Sequence, residues 1–125
     1  MAIDKNLIDQ FIKVTTKAAL SSSYLVGKKD KIAADKAAVD SMRSELNKMN
    51  IRGEIVIGEG ELDEAPMLYI GEKLGTNKGP EFDIAVDPLE GTNFAANNLP
   101  GALSVIAIAE KNNLFKAPEL SLIHI

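Results

Sequence analysis

Acidic side chains stand at the ends of short apolar runs in this sequence, and that placement is where chemistry is to be sought. In Phe82-Asp83-Ile84-Ala85-Val86-Asp87-Pro88-Leu89-Glu90-Gly91-Thr92, the run 84–86 has the composition of a buried strand. Asp87 sets a carboxylate at its C-terminal end. Pro88 lacks an N–H and is expected to stop strand pairing. The turn carries Glu90 back toward Asp87, Gly91 lets a ligand approach the backbone, and Thr92 offers a hydroxyl where a helix can begin, so that nearby N–H groups could face an anion. Two acids, a glycine and a hydroxyl at a strand end outline a site for a hard cation and a phosphate. The competing reading is a strand followed by a solvated acidic turn, because Asp, Pro and Gly are ordinary turn residues.

Other segments offer acids in comparable places. Glu54-Ile55-Val56-Ile57 reads as a second buried strand, followed by Gly58-Glu59-Gly60-Glu61-Leu62-Asp63-Glu64. Glu59 falls just past the strand, within reach of a cation at the sheet edge. Asp63 lies further on and is suited to orienting a water instead. Clustered acids repel one another unless a cation or water offsets the charge, although a flexible acidic hairpin would also account for them. Asp35 is the remaining candidate. The helix expected after Asp30 carries the stripe Val39, Met42, Leu46 and Met49, and stepping back four residues lands on Asp35. A first-turn acid favoured by the helix dipole explains its position but not its phase with the buried face, so a metal ligand is the preferred reading. Lys31, one turn earlier, either meets a phosphate or is simply solvated.

Composition narrows the chemistry. The 125 residues suffice for one domain with a core, and 46% hydrophobic with 26% charged residues is a globular balance. A net charge of −4 gives no footprint for nucleic acid or an anionic membrane. With no cysteine, disulfides and thiolate zinc sites are excluded; with one histidine, His124, so is nearly all Ser–His or Cys–His catalysis. A metal must then sit among oxygens, which favours Mg²⁺ or Mn²⁺. No signal peptide and no bilayer-spanning run is read, and a reduced cytoplasm is the expected location.

The elements that must position these groups can be read in outline. Asp4 caps a helix with Leu7, Phe11, Val14 and Ala18 on one side, Ile8, Ile12 and Ala19 beside them, and an end near residues 21–23. The second helix is expected to run from Asp30 to about Asn50, with Asp40, Arg43, Glu45 and Lys48 solvated. Residues 51–53 read as a connector. The run 67–70 reads as packing with Tyr69 half-buried, and 71–81, rich in glycine and lysine, as an exposed loop. Residues 93–101 form a polar loop or short helix. The run 102–109, with small residues on both faces, is expected to be a central strand covered on each side, and Leu114-Phe115 to start a returning strand.

The stretches IVIGEGELDEAPMLYIGEKLGT (55–76) and DIAVDPLEGT (83–92) resemble class II fructose-1,6-bisphosphatases of the bacterial GlpX type. KKDKIAAD (28–35) and GALSVIAIAEKNNLFKAPE (101–119) fit the same pattern. The resemblance covers residues 1–119 and implies membership of the lithium-sensitive, metal-dependent sugar and inositol phosphatases. It implies an α/β (α+β) sugar-phosphatase fold of layered helices and sheet, of which only the N-terminal portion is present. It implies that Asp35 and Glu59 bind one divalent cation and Asp87 and Glu90 a second, Mn²⁺ or Mg²⁺. Glu90, Gly91 and Thr92 would meet the 1-phosphate of a sugar bisphosphate, and Asp63 and Thr92 would orient and deprotonate the attacking water. The parent is expected to be a homo-oligomer, dimer or tetramer.

Leu120-Ser121-Leu122-Ile123-His124-Ile125 does not fit the family pattern and reads as a non-native tail. The sequence is accordingly expected to be a truncated N-terminal part, inactive by itself. Two other functions stay open: a related reaction, on sedoheptulose 1,7-bisphosphate or inositol monophosphate, and a non-catalytic acidic binding module.

Overall fold

The computed structural model describes residues 3–59 and 67–116. Two helices come first. α1 (Lys5–Ser23) is capped by Asp4, whose carboxylate accepts from the N–H groups of Asn6 at 2.6 Å and Leu7 at 3.4 Å. Phe11, Val14 and Ala18 are buried, while Ile8 and Ile12 are exposed. α2 (Lys31–Asn47) is capped by Asp30, which accepts from Ala33 N–H at 3.0 Å. Val39, Met42 and Leu46 have no solvent contact, as their spacing predicts. The helix ends at Asn47, short of Asn50: Lys48 and Met49 donate to the carbonyls of Glu45 and Leu46, a tightened last turn that closes the helix. Met49 is still buried, just beyond the helical residues.

The chain then builds a mixed four-stranded sheet: β1 (Arg52–Ile57), β2 (Lys73–Leu74), β3 (Glu81–Glu90) and β4 (Leu103–Glu110), in the order β2-β1-β3-β4. A short helix, α3 (Thr92–Ala96), links β3 to β4. β1 and β3 are parallel neighbours; the two outer pairings are antiparallel. α1 and α2 pack on one face of the sheet through Phe11, Val39, Met42, Ile55, Phe82, Ile84 and Val86. The rings of Phe11 and Phe82 meet edge to face, 5.8 Å apart. The result is the α+β layering of helices and mixed sheet expected from the sequence.

Several local expectations are corrected. Pro88 does not end the strand. β3 continues to Glu90, and the ladder to β4 passes from Asp87↔Val105 to Glu90↔Leu103, so the irregularity takes up the residue that cannot donate. Among the described residues the run 102–109 is an edge strand and not a central one. β4, like β2, lies at an edge of the described sheet; Ile106 and Ile108 pack toward the core, but Leu103 and Val105 are 56% and 42% exposed. Small side chains fit either a covered or an open face, and pairing order decides between them. Residues 51–53 are not all connector, because β1 begins at Arg52. Segment 71–81 is not all loop: it contains β2, and Glu72 within it is buried. Leu114 and Phe115 form no strand among the described residues. Instead Leu114 N–H donates to the buried Asp83 carboxylate at 3.3 Å.

Candidate functional site

Because β1 and β3 run parallel side by side, their C-terminal ends emerge together, the usual place for a ligand in sheets of this kind. Asp87 lies near the end of β3. Glu59 lies two residues past β1, and its approach is fixed by Gly58: a Cβ there would stand 2.5 Å from the carbonyl oxygen of Leu68, so only glycine fits. Glu59 N–H in turn donates to that same Leu68 carbonyl at 3.0 Å. Asp35 comes from the second turn of α2, in phase with its buried stripe.

These elements enclose a cavity of about 520 Å³ bordered by Lys31, Asp35, Glu59, Asp87, Glu90 and Thr92. Gly91 also borders it and is the residue before α3, with left-handed φ 81° and ψ 47°. A Cβ on Gly91 would sit 2.9 Å from Phe94 Cδ2, so both backbone shape and space require glycine. Thr92 is the first residue of α3 and Ala95 N–H returns to the Gly91 carbonyl at 3.1 Å, closing the turn. Of the residues singled out from the sequence, Asp35, Glu59, Asp87, Glu90, Gly91 and Thr92 are brought together. Asp63 lies outside the described residues.

The acids influence one another. Glu59 is pushed up to about 8, first by burial, then by the charges of Asp35 and Asp87. Asp35 is raised by burial, an effect opposed by its hydrogen bond with Glu59. Asp87 is raised by burial and by the charges of Glu90 and Asp35, against a backbone hydrogen bond from Leu89 that favours its ionised form. Among the described residues no three acidic side chains form a ready-made metal cage. Two oxygens nonetheless are left over: Asp35 Oδ1 and Glu59 Oε2 are buried with no hydrogen-bond partner. Orphaned carboxylate oxygens are costly unless something positive takes them up, and an all-oxygen set whose pKa values are raised by burial and mutual repulsion fits a hard divalent cation. A second depression, about 370 Å³ at Arg52, Glu54, Lys73 and Lys111, offers no such vacancy. Its charges are already paired, Lys73 and Lys111 with Glu54, and Arg52 with Glu81.

Sequence reasoning placed Arg43 in solvent. The structure turns it inward: Arg43 Nε and Nη2 donate to the two Glu72 oxygens at 2.7 and 3.1 Å, and Nη2 also donates to the Met67 carbonyl at 2.6 Å. The available signal was spacing, since Arg43 is four residues after Val39 and three before Leu46 and so flanks the buried stripe. Its partner, 29 residues away, carries no local mark.

Residues 5–125 match the family model described as bacterial fructose-1,6-bisphosphatase, glpX-encoded. Over 117 residues, 94% of this chain, it is 50% identical to a protein of Prochlorococcus marinus (strain MIT 9303) named D-fructose 1,6-bisphosphatase class 2/sedoheptulose 1,7-bisphosphatase. It is 51% identical over the same length to a protein of that name from Synechococcus sp. (strain RCC307). The chain spans 35% of the length of each of these relatives. Matched along nearly all of its length, the chain belongs to the bacterial, glpX-encoded fructose-1,6-bisphosphatase family.

Proposed function

We propose that the full-length protein carrying this sequence is a metal-dependent sugar bisphosphatase, hydrolysing the 1-phosphate of fructose 1,6-bisphosphate to give fructose 6-phosphate and phosphate. One observation supports this above the others: acids from α2, the β1 exit and β3 border one cavity, and two of their oxygens lack partners there. Asp35 and Glu59 would hold one Mg²⁺ or Mn²⁺, Asp87 and Glu90 another. Bound divalent cations neutralise phosphate oxygens and lower the pKa of water. The protein's own groups do the rest. The N–H groups of Gly91 and Thr92 would donate to the 1-phosphate oxygens at the left-handed turn, and Glu90 would help to place it. Thr92 and Asp63 would orient the attacking water, its proton passing to the Asp63 carboxylate. No covalent intermediate is required, in keeping with a chain that has no cysteine and one histidine.

Sedoheptulose 1,7-bisphosphate is the second substrate to weigh, because the names of the relatives carry both sugars. On this reading the site residues would contact the scissile phosphate and not the distant end of the sugar, so both bisphosphates fit it. The chain by itself, at about a third of its relatives' length, is proposed to be inactive. The active form is proposed to be a cytoplasmic homo-oligomer; no helix among the described residues is long and apolar enough to cross a membrane.

Phosphate release by the full-length protein decides the matter, measured with Mn²⁺ or Mg²⁺ on both bisphosphates and on inositol monophosphate. Release from fructose 1,6-bisphosphate that disappears in Asp87→Ala is the expected result. No release from either bisphosphate, or an Asp87→Ala variant as active as its parent, overturns it and favours a non-catalytic acidic binding module.

A further inference from the structure

Asp35 and Glu59 reach the same cavity from elements that are not neighbours in the sheet. One rides on α2, the other on the chain leaving β1, so something must fix the gap between them. The outer segment 67–74 lies along β1: Ile55 N–H donates to the Glu72 carbonyl at 3.0 Å, Gly71 N–H to the Ile55 carbonyl at 2.8 Å, and Glu59 N–H to the Leu68 carbonyl at 3.0 Å. Backbone pairing therefore ties Glu59 to Leu68. It does not tie either of them to α2.

Arg43 supplies that link near Leu68, while just past β2 Gly75 N–H donates to Asn47 Oδ1 of α2 at 3.1 Å. Arg43 stands on α2 eight residues beyond Asp35, about 12 Å along the helix. Its guanidinium grips the Glu72 carboxylate with two N–H groups and the Met67 carbonyl with one of them. Glu72 Oε1 also accepts from Tyr69 N–H at 3.4 Å, so the carboxylate is anchored to its own segment. Planar two-point pairing of this kind constrains angle as well as distance, which a lysine could not do. The pair is mostly screened from solvent, with side-chain exposures of 27% and 10%. Burial of Glu72 and its guanidinium partner raises the cost of breaking either half.

We infer that Arg43 and Glu72 are positioning residues that hold residues 67–72, and with them the backbone bond from Glu59 to Leu68, against α2 and so set the separation of the Asp35 and Glu59 carboxylates. The consequence rests on the metal reading given above: the spacing of the two carboxylates decides how tightly a divalent cation is held. Groups that orient metal ligands from behind change affinity by about 10- to 100-fold when removed.

The test uses the full-length protein, with two readouts. Mn²⁺ binding is measured by calorimetry, and exchange of the Glu59 amide is followed by NMR without metal. Arg43→Lys and Glu72→Gln are compared with Val14→Ala, a core change in α1 that lowers the thermal midpoint without touching the pair. The expected result is Mn²⁺ binding weakened about tenfold or more and faster Glu59 exchange in both variants, beyond the control at matched distance from its midpoint. The exchanged pair Arg43→Glu with Glu72→Arg is expected to recover part of both losses. Variants indistinguishable from Val14→Ala in both readouts overturn the inference while leaving the metal site standing. An unsubstituted full-length protein that binds no Mn²⁺ overturns the metal reading and this consequence together.

Discussion

Without metal, Glu59 should make this chain lose stability as pH rises, and Glu59→Gln should remove most of that loss. The carboxyl is lifted from its ordinary 4.5 to about 8 by burial and by the charges of Asp35 and Asp87. A carboxyl whose folded pKa lies above its unfolded one favours the native state while protonated. Its contribution is complete below about pH 4.5 and is lost as pH climbs through about 8. At about 1.4 kcal/mol per pH unit, the interval from 4.5 to about 8 sets a ceiling of about 5 kcal/mol, and since Asp35 and Glu59 titrate as a pair that ceiling belongs to both. Over the part of that interval above about pH 5 the loss is roughly 3–4 kcal/mol, a large part of the stability of an ordinary domain. The assay is urea unfolding in EDTA at about pH 5 and about pH 9. The unsubstituted chain should lose that amount between the two, and Glu59→Gln less than about half of it, since the amide cannot ionise. Saturating Mn²⁺ at the higher pH should restore the unsubstituted chain and help the variant less. Equal losses in the two proteins would refute the reasoning, because the decline would then come from groups elsewhere.

Two further substitutions follow from the geometry. Gly91→Ala places a Cβ 2.9 Å from the Phe94 ring on a backbone with φ 81°, and should cost about 1–3 kcal/mol in urea unfolding while abolishing phosphate release by the full-length protein. Val105→Lys puts a charge on the open face of β4, where the valine is 42% exposed. It should leave the thermal midpoint within about 1 °C and raise the concentration at which light scattering first detects association of the chain.

The contrast between Asp87 and Arg43 shows how far the sequence reaches. Asp87, Glu90, Gly91 and Thr92 occupy one short stretch, so a local pattern of strand, acid and glycine announces them, and Asp35 is betrayed by its phase with Val39, Met42 and Leu46. The caps at Asp4 and Asp30 are equally local, since each accepts from N–H groups two or three residues ahead. Periodicity and capping are short-range physics, and a linear string records them. The pairing order of the sheet, by contrast, is set by competition among long-range contacts. Among the described residues that competition puts 103–110 at an edge of the sheet although its side chains would suit the middle, and it lets β3 pass Pro88 by an irregular ladder. The Arg43–Glu72 pair exists because β1 and the segment beside it bring position 72 back under α2. Which charges end in water and which end buried against a partner is a property of the packed chain, because desolvation and pairing are decided where distant segments meet.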